Sequence, residues 1–497
     1  MSAPIEFETV IGLEVHVQLA TESKIFSTAR ARLEAGRSVA DEQPNSNTTP
    51  VCAGHPGTLP ALNKKAVEYA IRAGLATECK INPRSIFARK HYFYPDSPKG
   101  YQISQLELPL CEKGFLDIEL GEHGETRKRI GITRIHMEED AGKNVHLQGF
   151  SLVNLNRAGV PLIEVVSEPD MRTAEEAGAY LRKLYAIVTA IGVCDGNLQE
   201  GNFRCDANVS VRPKGQAEFG TRTEIKNVNS FRFVEKAIDY ESFRQQQVIL
   251  SGGRIVQETR LYDSEKNQTF SMRSKEEAED YRYFPDPDLP PLLTDSATIE
   301  AIRASLPELP DQKRDRYIKE FSLSRSDAMV LTGMPSLSRF FEEVAQLMEH
   351  PQAKGFGKTL ANLITGEVVR LLNDAGIEIE GSQLTAVQFA DLARAIADQS
   401  ISITAAKQII GILFKEGGDV SVIVEREGLK QVSDLSSLEP LIDQIIAANP
   451  KQVEEFRAGK EKVLGFFVGQ AMKATQGKAN PARLQDLVIQ KLKGEIK

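Results

Sequence analysis

The 497-residue chain has no tryptophan, only five cysteines and no run of 18 apolar residues. Cys52, Cys79, Cys111, Cys194 and Cys205 are odd in number and never spaced C-x-x-C, which argues against a disulfide framework and a ribbon-type zinc site. The uncharged run Val463 to Met472 is ten residues long, too short for a membrane helix. Met1-Ser2-Ala3-Pro4-Ile5-Glu6 lacks the basic and apolar regions of a secretory signal, so a cytoplasmic location is expected. There is no Ser-His-Asp or Cys-His signature, and Ser436-Ser437 lacks the glycine-rich setting of an amidase nucleophile. Release of ammonia from an amide is therefore not expected of this chain. Gly355-Phe-Gly-Lys-Thr359 is not a P-loop, because Gln352 stands where the first glycine belongs.

What is present is ordinary globular composition, 41% hydrophobic and 26% charged, over a length that suits about three domains. The net charge of −8 is unevenly spread. Residues 451–497 hold ten Lys/Arg against five Asp/Glu, so this tail carries +5 and the remainder −13. An acidic body with a basic end suits a polyanion held at one end. Six of seven histidines precede residue 147, and every cysteine precedes 206, so side-chain chemistry is expected early in the chain. Phe284-Pro-Asp-Pro-Asp-Leu-Pro-Pro-Leu292 has four prolines in nine residues and predicts a domain boundary.

Before that boundary the pattern is α+β. Thr9, Ile11, Leu13, Val15, Val17 and Leu19 alternate with Glu8, Val10, Gly12, Glu14, His16 and Gln18, as in a strand with one buried face. Cys205, Ala207, Val209 and Val211 alternate likewise with Arg204, Asp206, Asn208, Ser210 and Arg212. This predicts an antiparallel sheet. Thr173 and Glu176 form a capping-box pattern ahead of the stripe Ala177, Leu181, Leu184, Val188 and Ile191, which Gly192 ends. After the boundary the pattern is mostly helical. One predicted helix runs from Thr404 to Glu416, and Asn480-Pro481 reads as an N-cap followed by proline.

Four polar strand faces carry the candidate chemistry. They are Glu14 with His16, then Arg134, His136, Glu138 and Asp140 (Glu139 on the reverse face). Arg204 with Asp206 and Asn208 make the third, and Arg222, Glu224 and Lys226 the fourth. Gathered in one hollow, such carboxylates and imidazoles suit Mg²⁺ or Mn²⁺, while Arg204, Arg222 and Lys226 would neutralise phosphoryl oxygens. Dispersed, each is the solvated face of a half-exposed sheet. Arg89 to Pro95 and Tyr281 to Pro285 interleave cations with aromatics, a pattern that stacks bases or forms amphipathic strands. Gly465 to Asn480 joins an apolar helix to a basic loop suited to a phosphate backbone.

Several long segments resemble the B-subunit family of the aspartyl/glutamyl-tRNA amidotransferases (the GatB/GatE family). They are Val10-Ile-Gly-Leu-Glu-Val-His-Val-Gln18, Arg89 to Gln105, His136-Met-Glu-Glu-Asp-Ala-Gly142, Asn156-Arg-Ala-Gly159 and Glu164-Val-Val-Ser-Glu-Pro-Asp170. Glu200 to Arg212, Glu224 to Ser230 and Asp280 to Pro285 continue the likeness, and Gly465 to Asn480 is similar to that family's YqeY-like tail. The resemblance implies a glutamine-synthetase-like antiparallel cradle over 1–292. An all-α helical domain would begin at 293–348, and a YqeY-like helical and tail domain would span 349–497, with a tRNA-binding tail from about 405.

It also implies a carbon–nitrogen ligase using ATP and Mg²⁺, working as a heterotrimer. The enzyme phosphorylates the side-chain carboxylate of Glu-tRNA(Gln) or Asp-tRNA(Asn). It then amidates that carboxylate with ammonia channelled from a glutamine-hydrolysing amidase, the A-subunit, while a small C-subunit clasps the pair. By motif, Glu14, His16, Glu138, Glu139 and Asp206 are expected at the metal. Lys90, Arg204, Lys226 and Glu224 are expected to be catalytic, and Lys90, Tyr92, Arg204 and Arg222 to hold ATP. The chain departs from the family pattern at Asn154, where Asp is usual. It also has Ser27, Ala29 and Thr49 beside Cys52 where some members carry zinc-binding cysteines, so no zinc is expected. The alternative expectation is a tRNA-holding scaffold without chemistry of its own, for which the basic tail speaks; a stand-alone ammonia ligase is a third.

Overall fold

A computed structural model describes residues 5–32, 42–121, 124–198, 200–228, 230–274, 281–348, 350–431, 435–475, 479 and 481–493. The chain forms two compact units, Met1–Gln312 and Lys313–Lys497. Among the described residues the first unit is built on a nine-stranded sheet. In chain order its strands are β1 (Phe7–Gln18), β2 (Lys80–Ile81), β3 (Cys111–Leu120), β4 (Thr126–Glu139), β5 (Pro161–Ser167), β6 (Phe203–Pro213), β7 (Thr223–Val228), β8 (Glu258–Asp263) and β9 (Gln268–Ser274). In space the order is β9-β8-β7-β6-β1-β5-β4-β3-β2. Neighbours are antiparallel except β7 and β8, which run parallel.

One face of this sheet is apolar and covered by helices α1 (Lys64–Ala76), α2 (Ala174–Ala190) and α3 (Phe231–Leu250). The alternation in β1 decides which face that is: Ile11, Leu13, Val15, Val17 and Leu19 are all at most 1% exposed and join the core. The cap of α2 is built as a half box. The Thr173 hydroxyl accepts from the Glu176 N–H at 3.1 Å, while the Glu176 carboxylate turns to the Arg172 N–H and to Lys128, at 2.5 and 2.7 Å.

The proline-rich segment is fastened to the first unit, which continues to Gln312. Phe284–Pro285 pairs with Ala88–His91, Leu292–Leu293 pairs with Arg84–Ser85, and buried Asp286 accepts from Arg89 at 3.0 Å. The second unit is helical, as its sequence periodicity predicts. Helix Ile403–Glu416 buries Ala406, Ile409, Ile410 and Leu413 and stops at Gly417, whose φ of 67° suits glycine. Gly355 to Thr359 lies inside helix His350–Leu363. A Cβ on Gly357 would sit 2.7 Å from Phe321 Cβ, so this glycine permits close helix packing. A smaller core of Leu438, Phe467, Leu484 and Val488 joins the last helices, including Pro481–Lys493. Asn480 and the loop residues 476–478 lie outside the described residues.

Candidate active site

The four polar strand faces predicted from sequence line the face of one sheet opposite α1, α2 and α3, because β1, β4, β6 and β7 are near neighbours in it. Over β4 and β5 this face is buried, with His136, Glu138 and Glu164 at most 8% exposed. Register then sets which side chains meet. His16 stands opposite Arg204 on β6 and Glu164 on β5, and Glu164 stands opposite His136 on β4. Glu14 stands opposite Asp206, and Asn208 opposite Glu224. Residues paired in this way project from the same face, so the rows place acids beside imidazoles and cations.

The first cluster is His16, Glu138 and Glu164, each offering one ligand atom within 4.8 Å of the others. His16 Nε2 lies 3.6 Å from Glu138 Oε1 and 3.4 Å from Glu164 Oε2. His136 Nε2 lies 3.4 Å from the same Glu164 oxygen. Arg134 Nε donates to His136 Nδ1 at 3.3 Å, which leaves the His136 proton on Nε2, toward the carboxylates. Burial pushes the His136 pKa down and keeps the ring neutral. Burial alone would raise the Glu164 pKa, but His136, His16 and Lys90 outweigh it and hold the carboxylate ionised. His16 is raised: burial opposes its charge, and Glu164 and Glu138 more than offset that.

The second cluster is Glu14, Asp206 and Glu224. Lys226 Nζ bridges Asp206 and Glu224 at 3.0 and 3.1 Å, and Asn208 Nδ2 donates to Glu14 at 3.0 Å. Burial, then Glu164, Glu224 and Asp206, push the Glu14 pKa up. Carboxylates crowded like this favour a cation among them, and an imidazole with several carboxylate oxygens is a donor set that Mg²⁺ and Mn²⁺ accept. The residues present fit such an ion. Beside Glu14 opens a cavity of about 260 Å³, lined among others by Val10, Gly12, Asn208, Phe219 and Arg222.

Arg204 is held toward this face by Asp140 at 3.2 Å, and Asp140 is itself fixed by Gln18 and Arg157. Lys90 arrives from a three-stranded sheet in which Ala88–His91 lies between Tyr101–Ser104 and Phe284–Pro285. The two cation–aromatic segments thus fold against each other. His91 stacks on Phe284 at 4.9 Å, and Lys90 Nζ lies 4.9 Å from the Tyr281 ring centre. Burial alone would lower the Lys90 pKa, but Glu138 and Glu164 hold the ammonium charged. Tyr92, pushed up to about 12 by burial and Asp96, sits in the following loop.

Glu139 stands apart from the first cluster. Pairing between β4 and β5 is regular from Ile135 to Glu139, so Glu138 and Glu139 keep opposite faces. Glu139 ion-pairs with Lys99 and accepts from the Ile103 N–H at 2.8 Å. Glu164 is the residue that alternation missed. Strand β5 is buried at six of its seven positions and shows no period of two, but a lone carboxylate inside Pro-Leu-Ile-Glu-Val-Val was the available signal. Around Cys52 the donor set does not fit zinc. Its sulfur meets Ser27 Oγ at 3.2 Å, Thr49 Oγ1 at 3.3 Å and the Lys24 ammonium at 3.6 Å. Asn154 accepts from the Asn45 N–H at 3.3 Å.

Comparison with known proteins agrees with this architecture. Residues 9–300 match the GatB/GatE catalytic domain, and residues 339–492 match the GatB domain. The chain is 58% identical to the B-subunit of the aspartyl/glutamyl-tRNA(Asn/Gln) amidotransferase of Trichlorobacter lovleyi, over 99% of this chain and 100% of that protein. It is 55% identical to the proteins of that name from Syntrophotalea carbinolica and Alkalilimnicola ehrlichii, each over 98% of this chain and 99% and 100% of theirs. A two-domain protein with an acid-lined sheet and a helical second unit thus falls into a defined class. The chain belongs to the family of aspartyl/glutamyl-tRNA(Asn/Gln) amidotransferase B-subunits.

Proposed function

We propose that this chain is the ATP-using component of a cytoplasmic tRNA-dependent amidotransferase. It activates the side-chain carboxylate of Glu-tRNA(Gln) or Asp-tRNA(Asn) by phosphorylation. The observation that carries this is the convergence of His16, Glu138 and Glu164 beside Glu14, Asp206 and Glu224, with Lys90, Arg204 and Lys226 among them.

A carboxylate resists ammonia, because its charge repels the nucleophile and oxide is a poor leaving group. The substrate carboxylate oxygen attacks the γ-phosphorus of ATP, and ADP leaves. Ammonia then forms the C–N bond, the C–O bond to phosphate breaks, and the surplus proton passes to phosphate. When bound, Mg²⁺ would supply charge neutralisation at the phosphoryl oxygens, held by His16, Glu138 and Glu164 with Glu14 and Asp206 nearby. Lys226, braced between two carboxylates, and Arg204, braced by Asp140, present fixed cations to the same charge. The cavity at Gly12, Phe219 and Arg222 has a size and lining that suit the nucleoside of ATP. Ammonia would come from the amidase, the A-subunit, and the small C-subunit would complete the complex. The basic tail would hold tRNA.

The test is made in the assembled complex. Glu138→Ala or Glu14→Ala is expected to abolish acyl-phosphate formation and tRNA-dependent ATP cleavage while tRNA still binds. ATP cleavage at the wild-type rate in both variants overturns the proposal.

A further inference from the structure

This face of the sheet does not end at the acid clusters. Lys226 on β7 stands opposite Leu261 on β8, and Leu261 stands opposite Phe270 on β9. These three side chains therefore form one row projecting from the same face as Glu224 and Asp206. The hydrogen bond from Thr259 Oγ1 to Glu224 at 2.9 Å fixes that assignment. On the reverse face Thr269 and Arg260 turn toward α3, where Thr269 donates to Glu241 at 2.8 Å. Phe270 is 41% exposed, and the Lys266 ammonium lies 5.3 Å from its ring centre. An aromatic ring open to solvent with a cation beside it is a stacking platform for a base that carries a phosphate.

We infer that Phe270 seats the purine of the nucleotide that bears the amino acid, with Lys266 set against that nucleotide's phosphate. The inference rests on the functional reading above and adds where the reacting end of the substrate lies. Two strand spacings of about 4.8 Å separate Phe270 from Lys226, roughly 10 Å in all. That suits the reach from a purine, across its ribose, to the side-chain carboxylate of an amino acid esterified there. A base on Phe270 thus delivers the carboxylate to Lys226, Asp206 and Glu224. The cavity assigned to ATP lies on the opposite side, by Arg222, which precedes Glu224 by two residues as Lys226 follows it by two. The two nucleosides then approach the acid cluster from its two ends.

The experiment uses the assembled complex. The competitor is an adenosine 5′-phosphate whose 3′ position carries glutamate through an uncleavable amide, read as inhibition of tRNA-dependent amidation. Phe270→Ala is expected to raise the inhibition constant between about 5- and 150-fold, the loss that removing one base–aromatic stack produces, with the KM for ATP unchanged. Phe270→Tyr is expected to retain wild-type inhibition. An unchanged inhibition constant in Phe270→Ala overturns the inference and leaves the functional reading intact, as does a rise in the KM for ATP in its place. No inhibition of the wild-type complex at any concentration, together with no use of Glu-tRNA or Asp-tRNA, overturns both. Phe270 is exposed, so its removal leaves the fold in place.

Discussion

Glu164 carries more of the site's electrostatics than its place in an apolar strand suggests. Two imidazoles and the Lys90 ammonium hold it ionised, so it is a ready acceptor for a cation or for the protons that point at it. Glu164→Gln keeps the shape and removes that charge. Mn²⁺ binding, followed by electron paramagnetic resonance, is expected to weaken by more than the roughly 10- to 100-fold that loss of an outer partner costs. Unaltered Mn²⁺ affinity would remove Glu164 from the metal site. At Gly12 the added side chain matters in another way. A Cβ there meets only Pro169 Cα, at 3.9 Å, and Pro169 also lines the cavity beside Glu14. Gly12→Val should crowd the cavity at a cost of about 1–3 kcal/mol in ATP binding, read as a raised KM for ATP with the melting curve unchanged. Most of these residues were legible one strand at a time: alternation placed Glu14, His16, Glu138, Asp206, Glu224 and Lys226 on polar faces. Their convergence was not legible, because it depends on β5 threading between β1 and β4, and β5 reads as a fully buried run.

At the scale of elements, α3 locks the working edge of the sheet from behind. Its Glu241 is fully buried and accepts from Thr223 on β7, Thr269 on β9, and Arg244 and Gln245 on its own helix, with Arg260 on β8 at 3.3 Å. One carboxylate thus fixes three strands that carry Glu224, Lys226 and Phe270 on their other face. Burial alone would raise its pKa, but Arg244, Gln245 and Thr269 outweigh that, and the folded value lies below the ordinary 4.5. The sign follows from the depression. This stabilisation is complete above about pH 4.5 and is lost as pH falls through the lower folded value. Glu241→Gln should cost roughly 3 kcal/mol in urea denaturation at neutral pH. It should also flatten the acid limb of the stability–pH curve, and an unflattened limb would contradict the assignment. The elements themselves were largely readable. One expected signal that folded differently is the Thr173 cap, where Lys128 and the Arg172 N–H draw the Glu176 side chain away from its box.

For the whole molecule, the chain forms two compact units of unlike composition. The first contains the acid-lined sheet, and the second is helical and ends in a basic stretch. The proline-rich run looked like the seam, yet its short strands are paired into the first unit, since proline is tolerated at strand edges where no donor is needed. Deleting residues 451–497 from the chain within its complex is expected to weaken tRNA binding and reduce the slope of log affinity against log salt, leaving ATP binding unchanged. An unaltered slope would place the phosphate contacts elsewhere. The most direct test of the central claim follows one oxygen atom. Glu-tRNA labelled with ¹⁸O in its side-chain carboxylate is converted by the intact complex, and the released phosphate is analysed by mass. The account predicts one ¹⁸O in each phosphate released per amide formed; amide formation with unlabelled phosphate would contradict it.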